Sequence, residues 1–304
     1  MDAALSLRAT EGRHPHSAGM QDREGVVLLD QLFSAQQAAL ASVRAALPAI
    51  EAAAGLAAEV LRAGGKVGYA GAGSSGLMAL ADALELAGTF GIMPDRTPVL
   101  FAGGAAALLH MTGGVEDDPA LAEADFAAAG LAAGDAVLCL SASGGTPYTL
   151  EVARLARAAG VRVVGFANVA GSPLAALSDI AVTLETGPEL VNGSTRMGAA
   201  TAQKVALNML STRLGVLLGH VHDGYMVNLI ADNAKLLDRA ARIVSALSGQ
   251  GMDAARLALS HSGGAVKPAV LIAAGAAPDR AAALISDNGG RLGPALAALT
   301  HNRP

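Results

Sequence analysis

Residues 67–76 read VGYAGAGSSG, an apolar run that ends in a glycine-rich segment. Gly71, Gly73 and Gly76 have the spacing G-x-G-x-x-G, and the helix-forming residues 77–86 follow. A strand, a glycine-rich turn and a helix in this order indicate an α/β unit whose turn can bind a phosphate. The pattern alone leaves open whether that phosphate belongs to a dinucleotide or to another ligand.

The same alternation continues along the chain. Apolar runs flanked by Gly, Ser, Pro and Asp lie at 66–72, 98–104, 136–142, 161–167 and 179–185, with helical stretches near 76–88, 119–129, 147–159 and 172–178. Near-continuous apolar strands separated by helices indicate a parallel sheet covered on both faces. We therefore predict an α/β fold with a five-stranded parallel sheet sandwiched by helices. The strands are expected to stop after residue 190, where 194–219 and 225–247 are predicted as two long helices.

The 304 residues suffice for one large domain or two ordinary ones. Residues 1–25 are polar and are predicted to form an irregular arm. A long helix over 26–62 is expected to break or kink near Pro48. The main domain is predicted to span 26–248, and 249–304 a small helical domain.

Composition narrows the function class. Net charge is −5 and no basic block stands out, which argues against a nucleic-acid partner. Cys139 is the only cysteine, so no intrachain disulfide can form, and its apolar neighbours predict a buried core side chain. The sequence shows no signal segment, and Arg213 interrupts its best candidate for a membrane span. A cytoplasmic protein that does not bind a membrane is expected.

A dinucleotide site needs an acidic residue at the end of the next strand, about 20 residues on, to bind the ribose. That strand runs into FAGGAAALL at 101–109 without an acid, and Asp95 precedes it. Ser74 and Ser75 instead suit a loop that offers N–H groups and hydroxyls to an anion.

A second loop, SASGGT at 141–146, repeats this chemistry. Its candidate ligand groups are Ser141, Ser143, Gly144 and Thr146. Two such loops at one edge of a sheet favour a phosphate with a hydroxylated body. The alternative is that both loops are ordinary helix caps and tight turns, which use the same residues.

Several segments together carry a resemblance to a known family. They are TEGRHPHS at 10–17, GAGSSGLMALADALE at 71–85, GGVEDD at 113–118, ELVNGSTRMGAATAQKVALNMLST at 189–212, KLLDRAARIV at 235–244 and SGGAVKPAVLI at 262–272. The S-x-S-G-x-T loop is similar to that of the sugar isomerase domain. The whole pattern resembles N-acetylmuramic acid 6-phosphate etherases and the related glucokinase regulatory protein.

The resemblance implies a lyase that cleaves the D-lactyl ether of N-acetylmuramic acid 6-phosphate to N-acetylglucosamine 6-phosphate and D-lactate. It places the two catalytic carboxylates at Glu85 and Glu116, and it implies neither cofactor nor metal. Glu85 would protonate departing lactate and later activate water, whereas Glu116 would handle the C2 proton. From the residues alone, Glu85 could equally be a solvated helix-face charge, and Glu116 a charge at the N-terminus of the following helix.

The resemblance also implies that Gly73, the hydroxyl-bearing loops and the long signature bind the substrate. From that signature we expect Ser194, Thr195, Arg196 and Lys204 to contribute. Arg196 and Lys204 lie two helical turns apart in the predicted helix and would share a face.

The chain departs from the family mainly by losing cations. The family usually has Arg or Lys where this chain has Leu77, Gly145, Gly198 and Ile230. These losses leave two alternatives open: a non-catalytic phosphosugar-binding regulator, or a related sugar-phosphate enzyme with an altered substrate.

The family resemblance implies a homodimer, and the apolar faces of 26–62 and 199–219 support that expectation. The polar arm at 10–19 and His222 are candidates to complete a partner's site, or are solvated loops. His220 and His222 are too few to predict a metal site.

Overall fold

The computed structural model describes residues 9–301. They divide into two compact units. The first contains the described residues up to Leu84 together with Asp95–Ser211, and the second contains Glu85–Pro94 and the described residues from Thr212 onward.

The first unit is built on a parallel sheet of five strands in the order β2-β1-β3-β4-β5. The strands are β1 (Val67–Gly71), β2 (Val99–Phe101), β3 (Ala136–Ser141), β4 (Arg162–Ala167) and β5 (Ile180–Thr183). Each falls within one of the apolar runs, which confirms the predicted sheet. Burial of whole strands such as β3 explains why those runs are continuous rather than alternating.

Helices follow the strands as predicted. They are α1 (Gly25–Ala45), α2 (Leu47–Arg62), α3 (Gly73–Phe90), α4 (Gly104–Leu109), α5 (Pro119–Ala129), α6 (Pro147–Ala158), α7 (Pro173–Leu177), α8 (Gly198–Leu217), α9 (Ala234–Ser248), α10 (Met252–His261), α11 (Val266–Ala273), α12 (Pro278–Asp287) and α13 (Leu292–His301). One core joins β1, β2, β3 and β4 to α5, α6 and α7. Cys139 is fully buried in this core, where burial raises the pKa of its thiol to about 12.

The predicted break in the N-terminal helix lies at Ala46, and Pro48 follows at the start of α2, where its missing N–H costs nothing. Helix α1 is the one described helix whose length and composition would allow it to cross a membrane, and little of it is buried. Its apolar side chains Val26, Leu29 and Phe33 are exposed.

The second unit contains a strand pair that the sequence analysis excluded. Strands β6 (Val221–His222) and β7 (Tyr225–Met226) form an antiparallel hairpin. Asp223 and Gly224 join them with φ values of 46° and 76°, the geometry of a two-residue hairpin turn. The expectation that strands stop after residue 190 was therefore wrong, and Asp-Gly was the signal that could have found the hairpin.

The two long helices predicted at 194–219 and 225–247 are both shorter in the structure. Helix α8 begins at Gly198, so residues 194–197 form a loop. The next helix begins at Ala234, because the Asn233 side chain accepts a hydrogen bond from Leu236 N and caps it. Helix α9 shares one core with the four helices that follow. The domain boundary at 249 stays a prediction.

Candidate active site

The sheet order defines where a ligand is expected. The chain places β2 on one side of β1 and then returns to place β3 on the other side. The direction in which successive strands are added therefore reverses between β1 and β3, although all the strands stay parallel. Ligands of such sheets bind at this switch point, beyond the carboxyl ends of the strands. Gly71 of β1 pairs with Leu140 of β3, so the first loop (72–76) and the second loop (141–146) leave the same edge side by side.

The first loop is a tight turn that two glycines make possible. A Cβ added at Gly76 would lie 2.8 Å from Gly71 O, and one added at Gly71 would lie 3.0 Å from Gly76 N. Helix α3 starts within this turn, with Ser75 buried and Ser74 partly exposed. The spacing of Gly71 and Gly76 therefore serves backbone packing.

The middle glycine has a different role, because it faces a carboxylate. A Cβ added at Gly73, whose φ is +52°, would lie 2.5 Å from Glu116 Oε1. In a dinucleotide site the equivalent glycine lets the pyrophosphate approach. Here the Glu116 carboxylate occupies the space next to Gly73. This contact and the lack of an acidic residue to bind the ribose both argue against a dinucleotide site.

Glu116 lies in a short 3₁₀ turn, Gly113–Asp117, between β2 and α5. Partial burial raises the pKa of its carboxyl, and the neighbouring charge of Asp117 raises it further. The N-cap of α5 is Asp118, whose Oδ1 accepts from Ala120 N at 2.9 Å. Capping this helix is thus the role of Asp118, and the Glu116 side chain points elsewhere, to the first loop.

Hydroxyls of the second loop bind mainly within the loop itself. Ser141 is buried, and its Oγ accepts from Gly144 N at 3.0 Å and lies 2.8 Å from Thr146 Oγ1. Ser143 Oγ accepts from Gly145 N at 3.1 Å. The side chains of Ser143 and Thr146 remain partly exposed, whereas Ser141 shapes the turn.

Helix α6 follows the second loop without a side-chain cap, with Pro147 at its start. Its N-cap residue, Thr146, makes no capping hydrogen bond with its hydroxyl. An uncapped helix start at the carboxyl edge of a sheet is suited to an anion.

The loop before α8 carries Ser194, Thr195 and Arg196. Because Arg196 precedes the helix and Lys204 lies within it, the predicted shared helical face was wrong. Both side chains are at least partly exposed.

A buried carboxylate that the sequence analysis missed closes this loop. Glu189 accepts from Gly198 N at 3.0 Å and Ala199 N at 2.8 Å, and so caps α8. A Cβ at Gly198 would lie 2.9 Å from Ala39 Cβ and 3.2 Å from Glu189 Oε2. This packing leaves no room for a larger side chain at residue 198.

Glu85 lies on α3, the helix that begins at the first loop, and its side chain is exposed. One turn earlier the buried Asp82 accepts from Tyr69 Oη at 3.1 Å and from Ser211 Oγ at 3.0 Å. These bonds fix the rotation of the part of α3 that belongs to the first unit. Asp82 was also missed, because a lone acid in a helical pattern gives no sign of burial.

The N-terminal arm contacts its own chain. Ser17 Oγ donates to Leu190 O at 2.6 Å, and a Cβ at Gly193 would lie 3.3 Å from Glu11 Oε2. The arm thus lies along the loop that leads to Ser194. Within residues 9–301, no three His, Cys, Asp or Glu side chains are grouped as metal ligands would be.

Comparison with known proteins agrees with this geometry. Residues 32–168 match the SIS domain family. The chain is 44% identical to the N-acetylmuramic acid 6-phosphate etherase of Deinococcus radiodurans, over 93% of each chain. It is 42% identical to that of Pectobacterium atrosepticum, over 88% of each, and 39% identical to that of Mycolicibacterium smegmatis, over 97% of this chain and 99% of the relative. The chain therefore belongs to the N-acetylmuramic acid 6-phosphate etherase family.

Proposed function

We propose that this chain is a carbon–oxygen lyase that cleaves the D-lactyl ether of N-acetylmuramic acid 6-phosphate. The products would be N-acetylglucosamine 6-phosphate and D-lactate. The observation that carries the proposal is the carboxylate of Glu116 against Gly73, at the edge where two small-residue loops meet.

In the open-chain sugar the C1 aldehyde acidifies the proton at C2. Glu116 is proposed to take that proton, after which the C3–O bond breaks and its electron pair leaves with lactate. Water then adds at C3 across the C2–C3 double bond, and a proton returns to C2. The raised pKa of Glu116 makes it a stronger base than an ordinary carboxylate.

Glu85 is proposed to protonate the lactate oxygen as it leaves and then to take a proton from the incoming water. The supporting observations are its position on the helix that begins at the first loop and the match of 71–85 to the family pattern. Positioned proton donors of this kind contribute roughly 10²–10⁴-fold to rate.

The phosphate is proposed to bind at the first and second loops, through Ser74, Ser75, Ser143 and Thr146 and the uncapped start of α6. Arg196 and Lys204 would add positive charge. Glu189 already occupies the N-terminus of α8, so that helix start is excluded as the phosphate site.

The test is release of D-lactate from N-acetylmuramic acid 6-phosphate, measured with D-lactate dehydrogenase. We expect lactate and N-acetylglucosamine 6-phosphate in equal amounts. Tight phosphosugar binding without lactate would identify the non-catalytic regulator instead. Release of lactate from the unphosphorylated sugar at the same rate would contradict the phosphate assignment.

We further propose a homodimer that buries the exposed apolar side of α1, defined by Val26, Leu29 and Phe33. The cytoplasm is the proposed compartment, since the single cysteine is buried and needs no oxidising environment.

A further inference from the structure

The C-terminal helices are two copies of one helical hairpin. Residues 252–273 and 278–299 align without gaps at an offset of 26, as the pair Asp253 and Asp279 shows (279 − 253). Helices α10 and α12 correspond, as do α11 and α13. The aligned pairs Ala255/Ala281 and Ala269/Ala295 are all fully buried, so the copies share their packing.

Each copy turns through two glycines with positive φ, Gly263–Gly264 in the first and Gly289–Gly290 in the second. In each copy the residues after the glycines line a cavity. Residues 263–268 line one of about 440 Å³, and residues 291–294 line another of about 310 Å³.

The two turns carry their cations at different positions. The first has Ala265 and Lys267, and the second has Arg291 and Gly293 at the aligned places. Lys267 Nζ donates to Gly290 O at 2.8 Å, so this ammonium is engaged in joining the two turns. The Arg291 side chain is exposed and makes no such hydrogen bond to any of the described residues.

Glycines make room for the basic groups of the second cavity. A Cβ at Gly293 would lie 3.1 Å from His222 Cε1, so the imidazole rests against the turn. A Cβ at Gly219 would lie 3.0 Å from Arg291 Cγ, so the arginine stem rests against the end of α8. Arg213 also lines this cavity.

We propose that this second-turn cavity, lined by Arg213, His222 and Arg291, is an anion-binding site that shares no residue with the proposed phosphosugar site. The described residues that line it include no Asp or Glu. The nearby acid is Asp223, 4.0 Å from His222 Nε2 and itself 78% exposed, so solvent screens it.

The cavity suits a small organic anion with an apolar body. Val216, Leu217 and Leu292 supply apolar walls, and the exposed guanidinium of Arg291 can bind a carboxylate or a phosphate monoester by paired hydrogen bonds. In a chain of net charge −5, such a basic cavity attracts anions that the rest of the surface repels.

The test is a titration of the full-length protein with inorganic phosphate and, separately, with D-lactate, at constant ionic strength set with sodium chloride. The readout is the His222 Cε1–H NMR signal, assigned with a His222→Gln variant. We compare wild type, Arg291→Ala and Arg280→Ala. Both substitutions install the alanine that the first copy carries, at 265 and 254, so both variants are expected to fold.

We expect a saturable shift of the His222 signal in wild type and in Arg280→Ala, with Kd values within about twofold. Arg291→Ala should weaken binding at least about tenfold, the loss expected for one charge-assisted pair. Tighter binding of phosphate than of lactate would indicate a phosphate monoester as ligand, and the reverse a carboxylate. An unshifted His222 signal, or equal affinity in Arg291→Ala and wild type, would overturn the proposal whether or not the protein releases lactate.

Discussion

The carboxylate of Glu116 rests on the Cα of Gly73, so closely that a methyl group at residue 73 would overlap Oε1. This contact joins the turn after β1 to the segment after β2, and it puts a carboxyl group of raised pKa at the switch point of the sheet. The carboxylate proposed as proton acceptor and the two loops proposed to bind the phosphate thereby share one edge.

Replacement of Gly73 by Ala tests this contact. The new Cβ would displace Glu116, and the left-handed backbone would add strain of about 1 kcal/mol. Because small displacements of a reacting group are costly, we expect kcat/KM for lactate release to fall roughly 100-fold.

The matched control is Gly55→Ala, in helix α2, where a Cβ would meet nothing within 4 Å. This change should stabilise the protein by about 1 kcal/mol without altering kcat/KM. Equal activity of the two variants would show that the contact between residues 73 and 116 has no role in the reaction.

The pH profile of kcat/KM should reveal Glu116 as a base. Activity is expected to fall as pH drops through its pKa, and burial followed by the charge of Asp117 places that pKa above the ordinary value of 4.5. Asp117→Asn removes the second cause, so the acid limb should move to lower pH. If the acid limb of the Asp117→Asn variant stays in place or moves to higher pH, the limb does not report the ionisation of Glu116.

Glu85→Gln keeps the shape of the side chain but removes its acid–base function. We expect kcat to fall roughly 10²–10⁴-fold with unchanged binding of N-acetylglucosamine 6-phosphate. Glu59→Gln, at another exposed helix position, is the control and should keep full activity. Full activity of the Glu85 variant would mean that the proton donor lies elsewhere.

Phe33→Glu tests the proposed dimer. Phe33 is 61% exposed on α1, and a charge there would oppose burial against a second subunit. Light scattering after gel filtration should give the mass of a dimer for wild type and for Ala52→Glu, an exposed change on α2, and a monomer for Phe33→Glu. A monomeric wild type, or a dimeric Phe33→Glu, would contradict the proposal.

The sheet was predictable because buried parallel strands leave continuous apolar runs, and Gly, Ser and Pro mark their ends. The hairpin at 221–226 was missed because its strands have two residues each and give no alternation, although Asp223–Gly224 marks the turn. The repeat of 252–273 was overlooked because its copies share glycines and alanines, which carry little individual signal.

Within the site, the sequence identified the loops but not how their groups are used. Ser141 was predicted to bind ligand, yet the residue is 2% exposed and its hydroxyl accepts a hydrogen bond from the loop's own backbone. Asp82 accepts a hydrogen bond from Ser211, which is more than 120 residues away in the sequence. Burial of Glu189 depends on the fold of the loop that brings Gly198 N to its carboxylate. No local pattern encodes such contacts.

The most direct test of the central claim is the reaction in heavy water. In the proposed reaction Glu116 removes the C2 proton and a proton from the solvent later returns to C2. N-acetylglucosamine 6-phosphate formed by the wild-type protein will therefore carry deuterium at C2. The Glu116→Gln variant will form neither product nor C2-exchanged substrate. Product released by the wild type without deuterium at C2 would contradict the elimination and the role of Glu116.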